Sequence, residues 1–317
     1  MKTISILIPA YNEEAVIDTL FTRLLELAKN TTNYNFEFMF VNDGSKDKTL
    51  EFIKDYADTD SRVSYINLSR NFGKEIGMIA GLDHVTGDAT VIIDADLQDP
   101  PELIPKMIEL WEDGYDDVYA KRKSRDGESF FKKFTSKMYY KTLQNVTRIP
   151  IQEDTGDFRL LDRRVVEALK QFRESQRNTK AMFSWVGFHK KEILYDRDPR
   201  AAGETKWNYI KLVELAIDGI TSFTTAPLRI STYAGIGISV LAFIFLVALV
   251  IRTVFFGADL AGYASTMAVI LFLGGVQLLS LGIIGEYVGR IFNESKQRPL
   301  YLIEEYHNGK VTRKTRR

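Results

Sequence analysis

Asp94-Ala95-Asp96 closes the apolar run Ala89-Thr90-Val91-Ile92-Ile93. Two carboxylates two residues apart at a strand end are suited to hold a hard divalent ion. Mg²⁺ and Mn²⁺ take oxygen ligands and share their coordination shell with phosphate oxygens and water. Gln98 adds a further polar side chain, and Pro100-Pro101 supply a turn before the next helix. Asp94, Asp96 and Gln98 are therefore the candidate metal ligands. Alone, an Asp-x-Asp pair serves equally to cap a helix or shape a turn, so its weight comes from what surrounds it.

The elements that must position this doublet alternate between strand and helix signals over about the first 125 residues. Strands are predicted at Ile4–Pro9, Phe36–Val41, Val63–Leu68, Ala89–Ile93 and Asp117–Ala120. Between them lie helical patterns such as Val16, Leu20, Leu24 and Leu27, with Asn12 as a candidate N-cap. Short apolar strands separated by helices imply a mostly parallel, Rossmann-like α/β sheet covered on both faces. Ligands bind beyond the carboxyl ends of such strands. Pro9-Ala10-Tyr11-Asn12-Glu13, Asn42-Asp43-Gly44-Ser45 and Asp94-Ala95-Asp96 all fall there.

The chain has 317 residues, with 42 Lys+Arg against 42 Asp+Glu, and this balance points to no nucleic-acid partner. It has no cysteine and three histidines, which excludes thiolate metal sites and argues against a His-rich one. The start is not a signal peptide, because Pro9 and Asn12-Glu13-Glu14 interrupt the apolar run too early.

Ser129–Val146 reads as a basic, aromatic amphipathic helix, suited to an anionic membrane surface or equally to packing on its own domain. A second amphipathic stretch, Trp207–Phe223, precedes the longest apolar segments. Ile230–Ile251 (22 residues) and Leu260–Gly285 (26 residues) carry no charge, and a membrane span needs about 20 apolar residues. Lys206, Lys211 and Arg229 precede the pair, and Arg290, Lys296, Arg298 and the basic tail follow it. The positive-inside rule puts both termini in the cytoplasm. Gly274-Gly275, Gly285 and Gly289 allow close helix packing and a homo-oligomer; Gln277 is expected to bond to a neighbouring helix.

Six strings in this order resemble a family-2 glycosyltransferase of the GT-A fold, and more narrowly the polyprenyl-phosphate sugar synthases (bactoprenol glucosyltransferases and dolichol-phosphate mannose synthases). They are Ile8-Pro9-Ala10-Tyr11-Asn12-Glu13-Glu14, the segment from Val41 to Thr49, that from Asn67 to Glu75, that from Asp94 to Pro101, that from Thr155 to Leu160, and that from Arg200 to Lys206. The resemblance implies a GT-A domain over 1–205, an interfacial helix over 206–229, two membrane helices within 230–289 (about 230–251 and 262–286) and a cytoplasmic basic tail over 290–317. It implies that Pro9, Tyr11, Glu13 and Asp43 line a nucleoside pocket, that Ala95 lets the backbone approach the nucleotide, and that Asp94, Asp96 and Gln98 surround Mg²⁺ or Mn²⁺ and the diphosphate. Arg122, Arg200 and Lys206 would face phosphates, Asp157 would be a candidate base near the acceptor, and Lys74 would touch a phosphate of the nucleotide sugar or only solvent. Asp43 serves equally as a helix cap, and Arg200 or Lys206 as a lipid-headgroup ligand.

The implied reaction moves a hexose, glucose from UDP-glucose by the likeness, onto undecaprenyl or another polyprenyl phosphate. With no cysteine, serine triad or histidine pair to form a covalent intermediate, a single inverting displacement is the simpler scheme. A phosphate monoester is largely dianionic at neutral pH, its second pKa being about 6. Such a nucleophile hardly needs a base, so Asp157 could instead orient the donor sugar or a basic partner. The rivals are a polysaccharide synthase on the same fold, whose Gln-x-x-Arg-Trp motif is not found here, and a non-catalytic nucleotide-sugar-sensing membrane scaffold.

Overall fold

A computed structural model of the chain describes residues 1–123, 155–175, 177, 179–195, 221, 224–256 and 262–309. The candidate helices Ser129–Val146 and Trp207–Phe223 (Thr221 apart), the tail Lys310–Arg317, and the site candidates Arg200 and Lys206 lie outside the described residues. The chain divides into two compact units.

In the first unit, strands β1 (Thr3–Ala10), β2 (Asn35–Asn42), β3 (Val63–Leu68), β4 (Ala89–Ile92), β5 (Asp117–Arg122), β6 (Thr155–Asp162), β7 (Lys190–Tyr195) and β8 (Ile303–His307) form one sheet. Its order is β7-β5-β6-β4-β1-β2-β3-β8. The four central strands β4, β1, β2 and β3 run parallel. β6 is antiparallel to both β4 and β5, and β8 is antiparallel to β3. The sheet is thus mixed around a parallel centre.

Alternation along each strand sorts the core onto two faces. Ile4, Ile6 and Ile8 of β1 and Phe36, Phe38 and Phe40 of β2 meet helices α1 (Ile17–Asn30), α2 (Thr49–Thr59) and α4 (Ile104–Glu112). Leu7, Met39 and Val41 point the other way, towards α3 (Lys74–His84), α5 (Arg163–Lys170) and α6 (Thr179–Trp185). Each such side chain contributes about 1.5–3 kcal/mol on burial, and together they fix the register that brings the strand ends into line.

Two expectations change. Asn12 does not cap α1, which starts five residues later behind Val16. Asn12 has φ +56, a left-handed conformation that Asn tolerates, and it bonds across to Ser45 and Lys46. Within 290–317, expected as a tail, residues up to Ser295 continue a helix and Ile303–His307 form strand β8. A pattern of Ile-Glu-Glu-Tyr-His reads as solvated chain, yet an edge strand tolerates charge because one rim faces water.

The second unit contains α7 (Ala226–Phe256) and α8 (Tyr263–Ser295), both longer than the apolar runs within them. Stretches of 23 and 24 residues are apolar enough to cross a bilayer. Large apolar side chains such as Leu241, Phe243, Phe245, Leu278 and Leu281 point outwards, the arrangement expected where lipid replaces water. Ser231 and Ser280 hydrogen-bond at 2.9 Å between the two helices. Gln277, expected in that role, is exposed and makes no such bond among the described residues.

One buried ion pair anchors the sheet beside the strand ends. Arg159 of β6 and Asp117 of β5 are both fully buried, 3.1 Å apart, and the Arg159 guanidinium stacks 3.7 Å from the Phe183 ring centroid. Asp117→Asn strips a charge from a pair that has no water to fall back on. It should destabilise the domain by about 3–5 kcal/mol and lower the apparent Tm by about 10 °C. Adding Arg159→Met should recover most of the loss; thermal denaturation of detergent-solubilised protein measures both.

Candidate active site

The carboxyl ends of β1, β2 and β3 carry three loops, and hydrogen bonds from backbone N–H groups to side-chain oxygens zip them together. After β1, the Asn12 N–H donates to Ser45 Oγ (2.9 Å), and Asn12 Oδ1 accepts from the Lys46 N–H (2.8 Å). The Glu13 N–H donates to Thr49 Oγ1 (2.8 Å), and Glu14 accepts from the Lys48 N–H (2.9 Å). After β2, Asp43 is buried and its two oxygens accept from the N–H groups of Phe72 (2.7 Å) and Gly73 (2.9 Å). Asp43 therefore caps no helix; it clamps the loop that leads into α3. Burial pushes its carboxyl up, against the two N–H groups and Arg70.

Gly44 and Gly73 make this clamp possible. Both have positive φ, +66 and +97, where a side chain is strained. A Cβ on Gly44 would stand 2.6 Å from the carbonyl carbon of Arg70, so the second and third loops touch through their backbones.

The clamp aims Lys74, the first residue of α3, between two carboxylates. Its ammonium lies 2.6 Å from Asp94 Oδ2 and 2.5 Å from Asp157 Oδ2. The sheet register explains why these acids meet. Ile92 of β4 pairs with Arg159 of antiparallel β6, so Asp94, two residues after Ile92, and Asp157, two residues before Arg159, arrive at the same edge. Burial pushes Asp94 above its ordinary range and the nearby Asp157 adds to this, with Lys74 pulling the other way. For Asp157 burial is outweighed by the Lys74 ammonium, and the carboxyl sits below its usual value. Lys74 itself is raised: burial opposes its charge, but the two acids prevail.

Asp96 and Gln98 occupy the turn after β4, where Asp96 Oδ1 accepts from the Gln98 N–H (3.1 Å). Leu97 between them has φ +59, a conformation unusual for leucine and concentrated at functional loops. Asp94 Oδ1 is buried and makes no hydrogen bond. It stands in the same doublet as Asp96, four residues before Gln98, and all three side chains offer oxygen. This donor set fits Mg²⁺ or Mn²⁺. Among the described residues no three acidic or histidine side chains gather into a cage, and an ion completed by phosphate oxygens needs none.

Of the remaining candidates, Pro9 and Ala95 are buried, Tyr11 is exposed, and Glu13 is half-buried beside the zipped loops. Arg122 ends β5, with Nε buried and unpaired. Lys180, on α6, was not singled out from the sequence. It feels the charges of Asp157, Lys74, Arg122 and Arg159, and burial lowers its pKa. Neither Arg122 nor Lys180 has an ion-pair partner among the described residues. No local pattern marks Lys180 in advance, because only the packing of α6 brings it to Asp157. The arrangement is thus a carboxylate group with one cation neutralised inside it and two held at its border. Anions bearing their own charge would complete those two.

Residues 5–170 match the family model "Glycosyl transferase family 2", just over half of the chain. The chain belongs to glycosyl transferase family 2. It is an enzyme family member whose mixed sheet and covering helices are of the GT-A type, and residues 226–291 match the "GtrB C-terminal hairpin". An uncharacterized glycosyltransferase of Synechocystis sp. is 52% identical over 302 residues, covering 95% of each chain. The bactoprenol glucosyl transferase of Shigella phage SfX is 44% identical over 301 residues, covering 95% of this chain and 98% of the relative. Among solved structures, S. aureus TarS in complex with UDP-GlcNAc aligns with a TM-score of 0.49 at 17% identity, over 70% of this chain and 66% of that one.

Lys74→Met tests the charge balance at the heart of the site. Without the ammonium, Asp94 and Asp157 face each other largely buried, and their folded pKa values rise above the unfolded ones. A carboxyl raised in this way gains stability as pH falls through its folded pKa. On going from about pH 7.5 to about pH 5.5 the variant should therefore gain more stability than the wild type, in which Lys74 holds Asp157 down and restrains the rise of Asp94. Apparent Tm against pH reads the difference; parallel profiles would remove Lys74 from its neutralising role.

Proposed function

We propose that this chain is a membrane-bound inverting glycosyltransferase that moves glucose from UDP-glucose to a polyprenyl phosphate at the cytoplasmic face of a bacterial inner membrane. The observation that carries the reading is the Asp94–Lys74–Asp157 cluster with Arg122 and Lys180 beside it, in a chain that also has the hairpin. The 44% identity to bactoprenol glucosyl transferases over nearly the whole chain supports the acceptor and the sugar.

The residues then divide the work. Pro9, Tyr11, Glu13 and Asp43 line the nucleoside end, and Ala95 admits the nucleotide backbone closely. Asp94, Asp96 and Gln98 would hold a divalent cation against the diphosphate. Such an ion supplies Lewis-acid stabilisation of the charge that the leaving diphosphate acquires. Arg122 and Lys180 are suited to the phosphates themselves, arginine through paired hydrogen bonds. Arg200 and Lys206 are assigned to the same task from their motif.

The state of Asp157 bears on the chemistry. A carboxylate held below its ordinary pKa is a poor proton acceptor, and a phosphate dianion has almost no proton to lose. Asp157 therefore acts through Lys74 as an orienting charge, and the acceptor oxygen attacks the anomeric carbon unaided by a base. What the reaction does need is positive charge, because one anion must approach another, and electrostatic help of this type is often the largest catalytic contribution.

Chain topology supports the membrane arrangement. β8, which follows the hairpin, belongs to the same sheet as β1–β7, which precede it. A hairpin that crosses the bilayer twice would return the chain to the side it left, as a sheet shared by both flanks requires. The basic residues at those flanks favour the cytoplasmic side.

Membranes containing the protein, incubated with polyprenyl phosphate and a panel of labelled nucleotide sugars, should pass label from UDP-glucose into the organic phase. Label from another donor would replace the sugar assignment, and no lipid-soluble label from any donor would remove the reaction. Asp96→Asn should lower transfer by about 100-fold or more with little change in Tm. Chelation should stop the wild type, and Mg²⁺ or Mn²⁺ should restore it; full activity in excess chelator would dismiss the metal.

A further inference from the structure

Strand β8 does more than cover the edge of the sheet. Its pairing with β3 slips between Asn67 and Leu68: Asn67 faces Glu305 while Leu68 faces Ile303, so Glu304 is the extra residue. A bulge of this kind re-aims a side chain. Here it turns Glu304 onto the amide of Asn67, whose Nδ2 donates to Glu304 Oε2 at 2.9 Å. Asn67 Oδ1 in turn accepts from Asn42 Nδ2 at 2.7 Å. Asn42 is 1% exposed, and its own Oδ1 has no partner, so among the described residues the bond to Asn67 is what anchors its side chain. The next residue is Asp43, which clamps Phe72 and Gly73 ahead of Lys74.

We propose that Glu304 is a positioning residue for the donor pocket, holding the end of β2, and with it the Asp43 clamp, through Asn67 and Asn42. The proposal rests on the reading that Asp43 borders the nucleoside. Three polar side chains linked in series transmit the placement of the last strand to the loop that aims Lys74. The other contacts of β8 do not do this. Glu305 bonds to Tyr65 (2.7 Å) and Lys54 (2.6 Å), and these fasten the strand to the outer part of the sheet.

Full-length protein in detergent or nanodiscs carries the test, with Glu304→Ala, Glu304→Gln and Lys54→Ala compared. Hydrogen exchange of the peptide containing Phe72 and Gly73 needs no substrate and reads the clamp directly. Glu304→Ala should speed that exchange and raise the KM for the nucleotide sugar by about fivefold, the scale of one net hydrogen bond, leaving the KM for polyprenyl phosphate unchanged. Glu304→Gln keeps an accepting oxygen and should restore both readouts; Lys54→Ala should match the wild type. Unchanged exchange in Glu304→Ala overturns the proposal. So does equal damage from Lys54→Ala, which would mean that strand docking alone matters, or a failure of glutamine to rescue. If Glu304→Ala does not fold, Glu304→Asp, one methylene short of Asn67, takes its place. Should the wild type turn over no nucleotide sugar, the proposed reaction fails, and the exchange result still decides whether Glu304 holds the clamp.

Discussion

Placing carboxylates side by side at the edge of a sheet is electrostatically costly, and this site is organised around one remedy. Antiparallel β6 delivers Asp157 to the position opposite Asp94 because Ile92 and Arg159 are paired, and no local choice of conformation could separate them. A single ammonium, that of Lys74, reaches both within 2.6 Å. Everything else in the neighbourhood places that ammonium: Gly73 turns the chain into α3, Asp43 grips the two N–H groups ahead of it, and Gly44 lets the loops approach. With one ammonium offsetting part of the negative charge, Asp94 retains a free oxygen, and Asp96 follows it in the same doublet.

Much of this was readable from residue order. The five strands from β1 to β5 follow runs of apolar residues, since parallel strands buried on both faces show as near-continuous hydrophobic stretches. The Asp94–Asp96 doublet stands out at a strand end for the same reason. Strands β6, β7 and β8 escape such reading. β6 carries Arg159, a charge that only its partner Asp117 and the Phe183 ring make tolerable inside. β7 (Lys-Lys-Glu-Ile-Leu-Tyr) and β8 (Ile-Glu-Glu-Tyr-His) carry consecutive charged residues, which the two outermost strands of a sheet tolerate.

Within the site, pairwise meetings were the harder part. Lys74 follows a glycine and resembles a phosphate ligand, yet its partners lie 20 and 83 positions away along the chain. Lys180 gains its place from helix packing alone. Asp43 and Asn12 were legible as residues at strand ends, but their work is to tie loops together, and that depends on which backbone N–H groups the fold leaves without partners. Overall charge was uninformative in the same way: a net of zero conceals a local sorting of acids and bases around one edge.

The order in which the sheet is completed has a bearing on biosynthesis. The ribosome finishes seven of the described strands, then both apolar helices, and only afterwards Ile303–His307. Until that last segment emerges, β3 is a bare rim of unpaired amides, the kind of edge on which chains aggregate. The sheet therefore stays open along that rim until both apolar helices have been synthesised, and a product truncated before Ile303 leaves it open.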